Sequence, residues 1–265
     1  MTRATALRVG DAAERVRALA DLAAPDAIVE PDALDALVDC LADARKIVQR
    51  RAAETCVALL DRHAELRARL HGALGADDPR MRWGAAYALG LATLFSEDTV
   101  RVLTEALGGH DGDLRWAALD LFKRFGATDP AAAGERLVRL AVDGNTQQRK
   151  MALYGLRDLA AADAAAVDAA TQALESRAAE VRLAAISLLV RLSAHRARTA
   201  TILLGLLGDA DPVIPRAAAA GLGMLGERSP EVLAALERVR SGPDPGLRRA
   251  AVRSLRLLSR REPRP

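Results

Sequence analysis

Asp78-Pro-Arg-Met-Arg-Trp-Gly-Ala-Ala-Tyr-Ala-Leu-Gly90 opens on a capping residue, follows it with proline, and then spaces small or apolar residues three and four apart. Such a stretch reads as a helix that starts at Asp78 and buries one face. The plan recurs in Asp111-Gly-Asp-Leu-Arg-Trp-Ala-Ala-Leu119, Asp211-Pro-Val-Ile-Pro-Arg-Ala-Ala-Ala-Ala-Gly-Leu-Gly223 and Asp244-Pro-Gly-Leu-Arg-Arg-Ala-Ala-Val252. Anchored on the residue that opens each helix, Val48, Met81, Leu114, Gln148, Val181, Ile214 and Leu247 succeed one another at steps of 33, 33, 34, 33, 33 and 33 residues. Val16 fits a degenerate earlier copy. A period of this length marks a stacked repeat protein.

Each copy holds two helices. With the anchor as position 0, positions 4, 7, 8 and 11 of the second helix are small or apolar, as in Ala85, Ala88, Leu89 and Ala92, or Ala218, Gly221, Leu222 and Leu225. These positions share one helical face. The first helix has its own apolar period, as in Leu34, Leu37 and Leu41, or Val100, Leu103 and Leu107. Asp78, Asp111, Asn145, Asp211 and Asp244 suit N-caps, whereas Ala178 stands at the equivalent place without a capping side chain. A two-helix unit cannot bury its apolar face alone, so neighbouring units stack around a shared core. The expectation is an all-α chain, a right-handed α-solenoid of about seven to eight two-helix repeats. It is read as one domain over residues 1–265, with 1–26 a degenerate N-terminal cap and 260–265 a loose basic tail. The second helices are expected to line the inner, concave face.

The pattern Asp-Pro-x-x-Val-Arg-x-x-Ala-x-x-Ala-Leu-Gly resembles HEAT-like repeats, in particular the short type named after phycobilisome lyases, over roughly residues 11–259. The resemblance implies that Arg82, Arg115, Arg149, Arg182 and Arg248, at position 1, join the capping residues in a ladder between stacked repeats. Gln49 and Pro215 depart from the ladder, so an interruption is expected at Pro215.

The composition, 51% hydrophobic and 28% charged, suits a soluble globular chain, and no apolar run is long enough for a membrane span. The first residues lack the apolar core of a signal peptide, so a cytoplasmic protein is expected. Cys40 and Cys56 are too few for a disulfide framework and read as core filling. His63, His71, His110 and His195 are scattered without metal-ligand spacing, and the glycine pairs follow no strand. No catalytic set, metal site or cofactor is expected.

The opposite face of the second helix, at positions 2, 6 and 9, carries both Trp and both Tyr of the chain within three successive repeats. The expected binding patch is Trp83, Tyr87, Trp116 and Tyr154, partly exposed, with Asp120, Lys123, Lys150 and Arg157 interleaved. Rings supply contact area at small entropic cost, and charges select the partner. A second candidate is basic. Residues 240–265 carry a net charge of +6 against −3 for the remainder, and Arg216, Arg249, Arg253 and Arg256 would form its surface.

The function expected is a non-enzymatic protein-binding scaffold or assembly factor that takes a helix or extended segment of another protein on its concave face. Two alternatives follow from the resemblance: a lyase-like or chaperone subunit for a bilin or other tetrapyrrole, and a nucleic-acid-binding or DNA-repair protein. The acidic balance of the first 239 residues argues against nucleic acid. The oligomeric state is open.

Overall fold

The computed structural model describes residues 2–160, 164–192 and 196–260. His195 and residues 261–265, most of the expected basic tail, lie outside the described residues. The fold is an all-α solenoid of about eight repeats, and no strand occurs among the described residues. It divides into two compact units, Met1–Asp129 and Pro130–Pro265.

In the first unit α1 (Arg3–Val9) pairs with α2 (Ala12–Ala23), α3 (Pro31–Asp39) with α4 (Lys46–Leu59), α5 (Ala64–Ala73) with α6 (Pro79–Leu91), and α7 (Glu97–Leu107) with α8 (Gly112–Thr128). In the second, α9 (Pro130–Asp143) pairs with α10 (Thr146–Asp158), and α11 (Ala164–Ala173) with α12 (Ala179–Arg191). There α13 (Arg196–Gly205) pairs with α14 (Val213–Leu225), and α15 (Pro230–Arg240) with α16 (Pro245–Arg260). Second helices stack on second helices: α2, α4 and α6 in one unit, α10, α12, α14 and α16 in the other.

The caps at Asp78, Asp111 and Asn145 form where the sequence places them, whereas α14 has Pro212 at its N-cap and Asp211, one residue earlier, accepts from the Val213 amide. Asp78 accepts from the Arg80 amide, and Asp111 from those of Asp113 and Leu114. Asn145 and Gln148 form a reciprocal capping box, and Ala178 leaves α12 without a side-chain cap. Position 8 is core, with Cys56, Leu89, Phe122, Leu156, Leu189 and Leu222 fully buried. The buried face is wider than the sequence suggested, because position 5 (Ala53, Ala86, Leu119, Leu153, Ile186 and Ala219) is buried too. A second helix has neighbours on both flanks, so a single apolar stripe understates what it hides.

Close packing of second helices follows one rule: position 9 of one helix meets position 7 of the next. Gly90 faces Leu121, Val190 faces Gly221, and Gly223 faces Ser254. The Ser254 hydroxyl also donates to the Ala219 carbonyl at 2.8 Å. A methyl group at Gly223 would overlap Ser254, so glycine is required for this approach.

The expected Arg–Asp ladder forms at one rung, from Arg182 to the capping Asp211 of the next repeat, and is corrected elsewhere. Arg82, Arg115 and Arg248 turn back on their own repeat and donate to carbonyls of the turn between its helices: Ala76 and Asp77, Gly109, and Gly242 and Pro243. These turns leave carbonyls without helical partners, and a guanidinium satisfies two at once. Arg149 likewise donates to the Ala141 carbonyl of its own repeat, so links between repeats come from Arg182 and from pairs outside position 1. Arg15 reaches Asp43 at 2.9 Å, Lys150 reaches Glu180 at 2.7 Å, and Arg182 reaches Asp209 and Asp211, each at 3.2 Å. Nor is there an interruption at Pro215, because Arg216, one residue later, holds Asp244 at 2.6 Å.

Asp43 gives this network a pH signature. Hydrogen bonds from Arg45 hold its carboxyl down to about 2, against burial that would raise it, and its side chain is 4% exposed. A depressed carboxylate stabilises the fold above its unfolded value near 3.8 and ceases to do so as pH falls through the folded value. Stability of the first unit is therefore expected to drop by roughly 2 kcal/mol between pH 4 and 2 on this account. Thermal melts across that range should flatten in Asp43→Asn; an unchanged slope would show that the carboxylate is not so held.

Candidate functional site

The eight residues of the expected patch divide between the two units, Trp83, Tyr87, Trp116, Asp120 and Lys123 in the first and Lys150, Tyr154 and Arg157 in the second. Within the first unit, Trp83 on α6 and Trp116 on α8 occupy the same position of successive repeats with different outcomes. Trp116 is 55% exposed, whereas Trp83 is only 6% exposed. The expectation of an exposed Trp83 is thus overturned.

One ring packs on it, and a bridged recess lies beside it. The Trp83 ring lies against Tyr87, with centroids 5.6 Å apart. It also lines a recess of about 370 Å³ with Gln49, Pro79 and Leu114. Across the same recess Lys46, at the start of α4, reaches Asp113 at 2.7 Å and Asp111 at 3.2 Å on α8. Two carboxylates hold the Lys46 ammonium above its ordinary pKa, chiefly through the Asp113 hydrogen bond. The chain fits tightly here, since a Cβ at Gly84 would run into the Leu41 carbonyl. One repeat later the residue equivalent to Lys46 is Pro79, which has no arm to extend. Trp116 there is 55% exposed.

Beside Trp116, one helical turn on, Asp120 pairs with Lys123 at 3.1 Å and with Arg124 at 3.8 Å. The ring is thus flanked on one side by a carboxylate with two cations and on the other by the Lys46–Asp113 bridge. Ile47, next to Lys46, is 61% exposed. Large exposed apolar side chains among polar groups that already have partners are the composition of a contact surface.

In the second unit the expected residues are more occupied. Tyr154 is half-buried beneath the Arg157 guanidinium, 5.0 Å from its ring centroid. Arg157 also holds Asp158 at 2.7 Å and donates to the Ser187 hydroxyl at 3.1 Å. Lys150, 17% exposed, spends its charge on Glu180, so it is a repeat-to-repeat link and not a free cation. Sequence reading missed Lys46, Asp111, Asp113 and Glu180, because each works through a partner in another repeat.

The basic candidate also changes. Arg216 forms two bonds to Asp244, which, with the Leu247 amide, hold that carboxyl down to about 2. It is a structural clamp. Arg249, Arg253 and Arg256 remain exposed and line one recess of about 520 Å³.

Other chemistry has little footing here. Cys40 and Cys56 are buried, burial pushes the Cys40 thiol up to about 11, and Cys56 moves the same way. Among the described residues no cluster of His, Cys, Asp and Glu is arranged to hold a metal ion, and no helix is long and apolar enough to cross a membrane.

A family model described as HEAT repeats matches residues 34–123 and 167–256. No curated protein sequence matches the chain. Among solved structures it is similar to Kap121p bound to Ste12p, with 13% identity, a TM-score of 0.60, and coverage of 97% of this chain and 32% of that one. Importin beta shows 14% identity, a TM-score of 0.59, and coverage of 98% and 42%. An archaeal HEAT-like repeats protein from Thermococcus onnurineus NA1 shows 14% identity, a TM-score of 0.51, and coverage of 89% and 99%. The chain therefore spans about a third of Kap121p and nearly all of the archaeal protein.

Proposed function

This chain belongs to the HEAT-repeat family, and from that premise we propose that it is a non-enzymatic protein-binding scaffold whose working surface centres on Trp116. The observation that carries the reading is the exposed Trp116 ring, set between the Asp120–Lys123–Arg124 group and the Lys46–Asp113 bridge. A partner gains the area of a rigid ring there and meets charges whose orientation is already set. The likeness to Kap121p, seen bound to Ste12p, supports a protein partner. A helix or extended segment on the concave face suits a repeat surface better than a small metabolite does. The reading of residues 1–265 as one solenoid belongs to this proposal, because the repeat step continues from Leu114 to Gln148 across the boundary between the units. A base-repair reading is disfavoured, since Asp120 is engaged by two cations and is not poised to stabilise a cationic sugar.

The test is affinity capture from the native host, with Trp116→Ala beside the unchanged chain. The variant should lose about 2 kcal/mol or more of binding to the captured partner, the size expected of an interface hot spot. Leu183→Ala, in the same column but half-buried, should matter less. Capture of no protein by the unchanged chain, or equal capture by Trp116→Ala, would end this reading.

A further inference from the structure

Among the described residues, the packing rule between second helices gives the position-9 side of α16 no neighbour. In α6, α12 and α14 the position-9 side receives position 7 of the following second helix. In α16 position 9 is Arg256, and no described helix follows to meet it. Position 5, buried in the six preceding copies, is only half-buried at Val252. The groove that α16 forms with α15 has an apolar floor of Val252, Leu255 and Leu233. Its rim is basic. Arg249, Arg253 and Arg256 line the adjoining recess with Val252 and Pro245. Among the described residues none of these three arginines has a carboxylate partner, whereas Arg240 is held by Glu237 at 2.7 Å and Arg248 by its turn carbonyls.

We infer that this groove takes an amphipathic helix of a partner protein that carries Asp or Glu along one edge and aliphatic residues beside them. The partner helix lies along α16, over Val252 and Leu255 and beside the three arginines. Arg249, Arg253 and Arg256 fall at i, i+4 and i+7, spanning about 10 Å of helix. Carboxylates at the same spacing on a partner helix share that rise and meet them in register, and each guanidinium can engage a carboxylate by two parallel bonds. The aliphatic edge covers Val252 and Leu255. The recess holds no aromatic ring on which a base could stack, which favours a peptide over single-stranded nucleic acid. The inference deepens the protein-binding reading but uses a surface separate from Trp116.

The probe is a labelled, helix-forming peptide of about four turns with Glu at i, i+4 and i+7 and Leu alongside, followed by fluorescence anisotropy with the full chain. It should bind at least about tenfold tighter than a scrambled peptide of equal composition and than a single-stranded oligonucleotide of equal charge. Replacing Arg249, Arg253 and Arg256 by Gln should remove that preference without moving the thermal melt. If the triple variant folds poorly, Arg253→Gln alone should still weaken binding severalfold. Trp116→Ala should bind the peptide like the unchanged chain, so failure at one surface is separable from failure at the other. The inference is overturned if the scrambled peptide or the oligonucleotide binds as tightly, if the arginine variants bind unchanged, or if the free chain self-associates through this groove and excludes the peptide.

Discussion

Trp83→Ala is expected to cost the first unit about 3–5 kcal/mol, although Trp83 occupies the same repeat position as the exposed Trp116. The ring is 6% exposed, packs on Tyr87, and forms one wall of the recess bridged by Lys46. Its removal takes away the contacts of an aromatic side chain and leaves a space that Pro79, Gln49 and Leu114 fill only in part. Trp116→Ala should shift the melt far less, because more than half of that residue is exposed in the free chain. Emission separates the two directly. With Trp116 replaced by Phe, the remaining Trp83 should emit at short wavelength and resist acrylamide; with Trp83 replaced by Phe, Trp116 should emit to the red and quench readily. Equal quenching of the two would refute the assignment of one ring to the interior.

Leu222→Ala should lose about 2–5 kcal/mol from the second unit. Leu222 is fully buried at position 8 of α14, in a core cluster with Ile186, Ile214, Leu225 and Leu236. Because a repeat protein draws its stability from each repeat and its neighbours, the loss should appear first as faster amide exchange in α12 to α16. An unchanged melt together with unchanged exchange would mean that position 8 is not core.

The repeat plan was legible because it rests on local chemistry. Asp78 and Asp111 cap helices through amides two or three residues away, and Leu89 and Leu222 face inward because a helical period leaves them no other direction. The arginines at position 1 were legible only as structural. Arg182 apart, their partners are carbonyls, which every sequence has and none advertises, so the resemblance pointed to a ladder where Arg82, Arg115 and Arg248 instead pin their own turns. Arg216 reads as surface in the sequence because its partner Asp244 stands 28 residues further on, in the next repeat.

Helix pairs, their period, most of their caps and the centre of each second helix's inward face were readable from the chain alone, since all of these follow from interactions within a few residues. The family was readable there too, because a repeat spaced at 33 residues is written in those same local signals. Which of two tryptophans in one column is exposed depends on the packing of distant repeats. Trp83 and Trp116 have similar neighbours in the chain, Arg-Trp-Gly-Ala and Arg-Trp-Ala-Ala. Lys46 stands 67 residues from Asp113, and only the stacking of α4, α6 and α8 brings its ammonium within 2.7 Å of that carboxylate, across the recess that Trp83 lines. Helical periodicity assigns a direction to a side chain; whether a neighbouring repeat reaches over it depends on long-range packing that no local signal records.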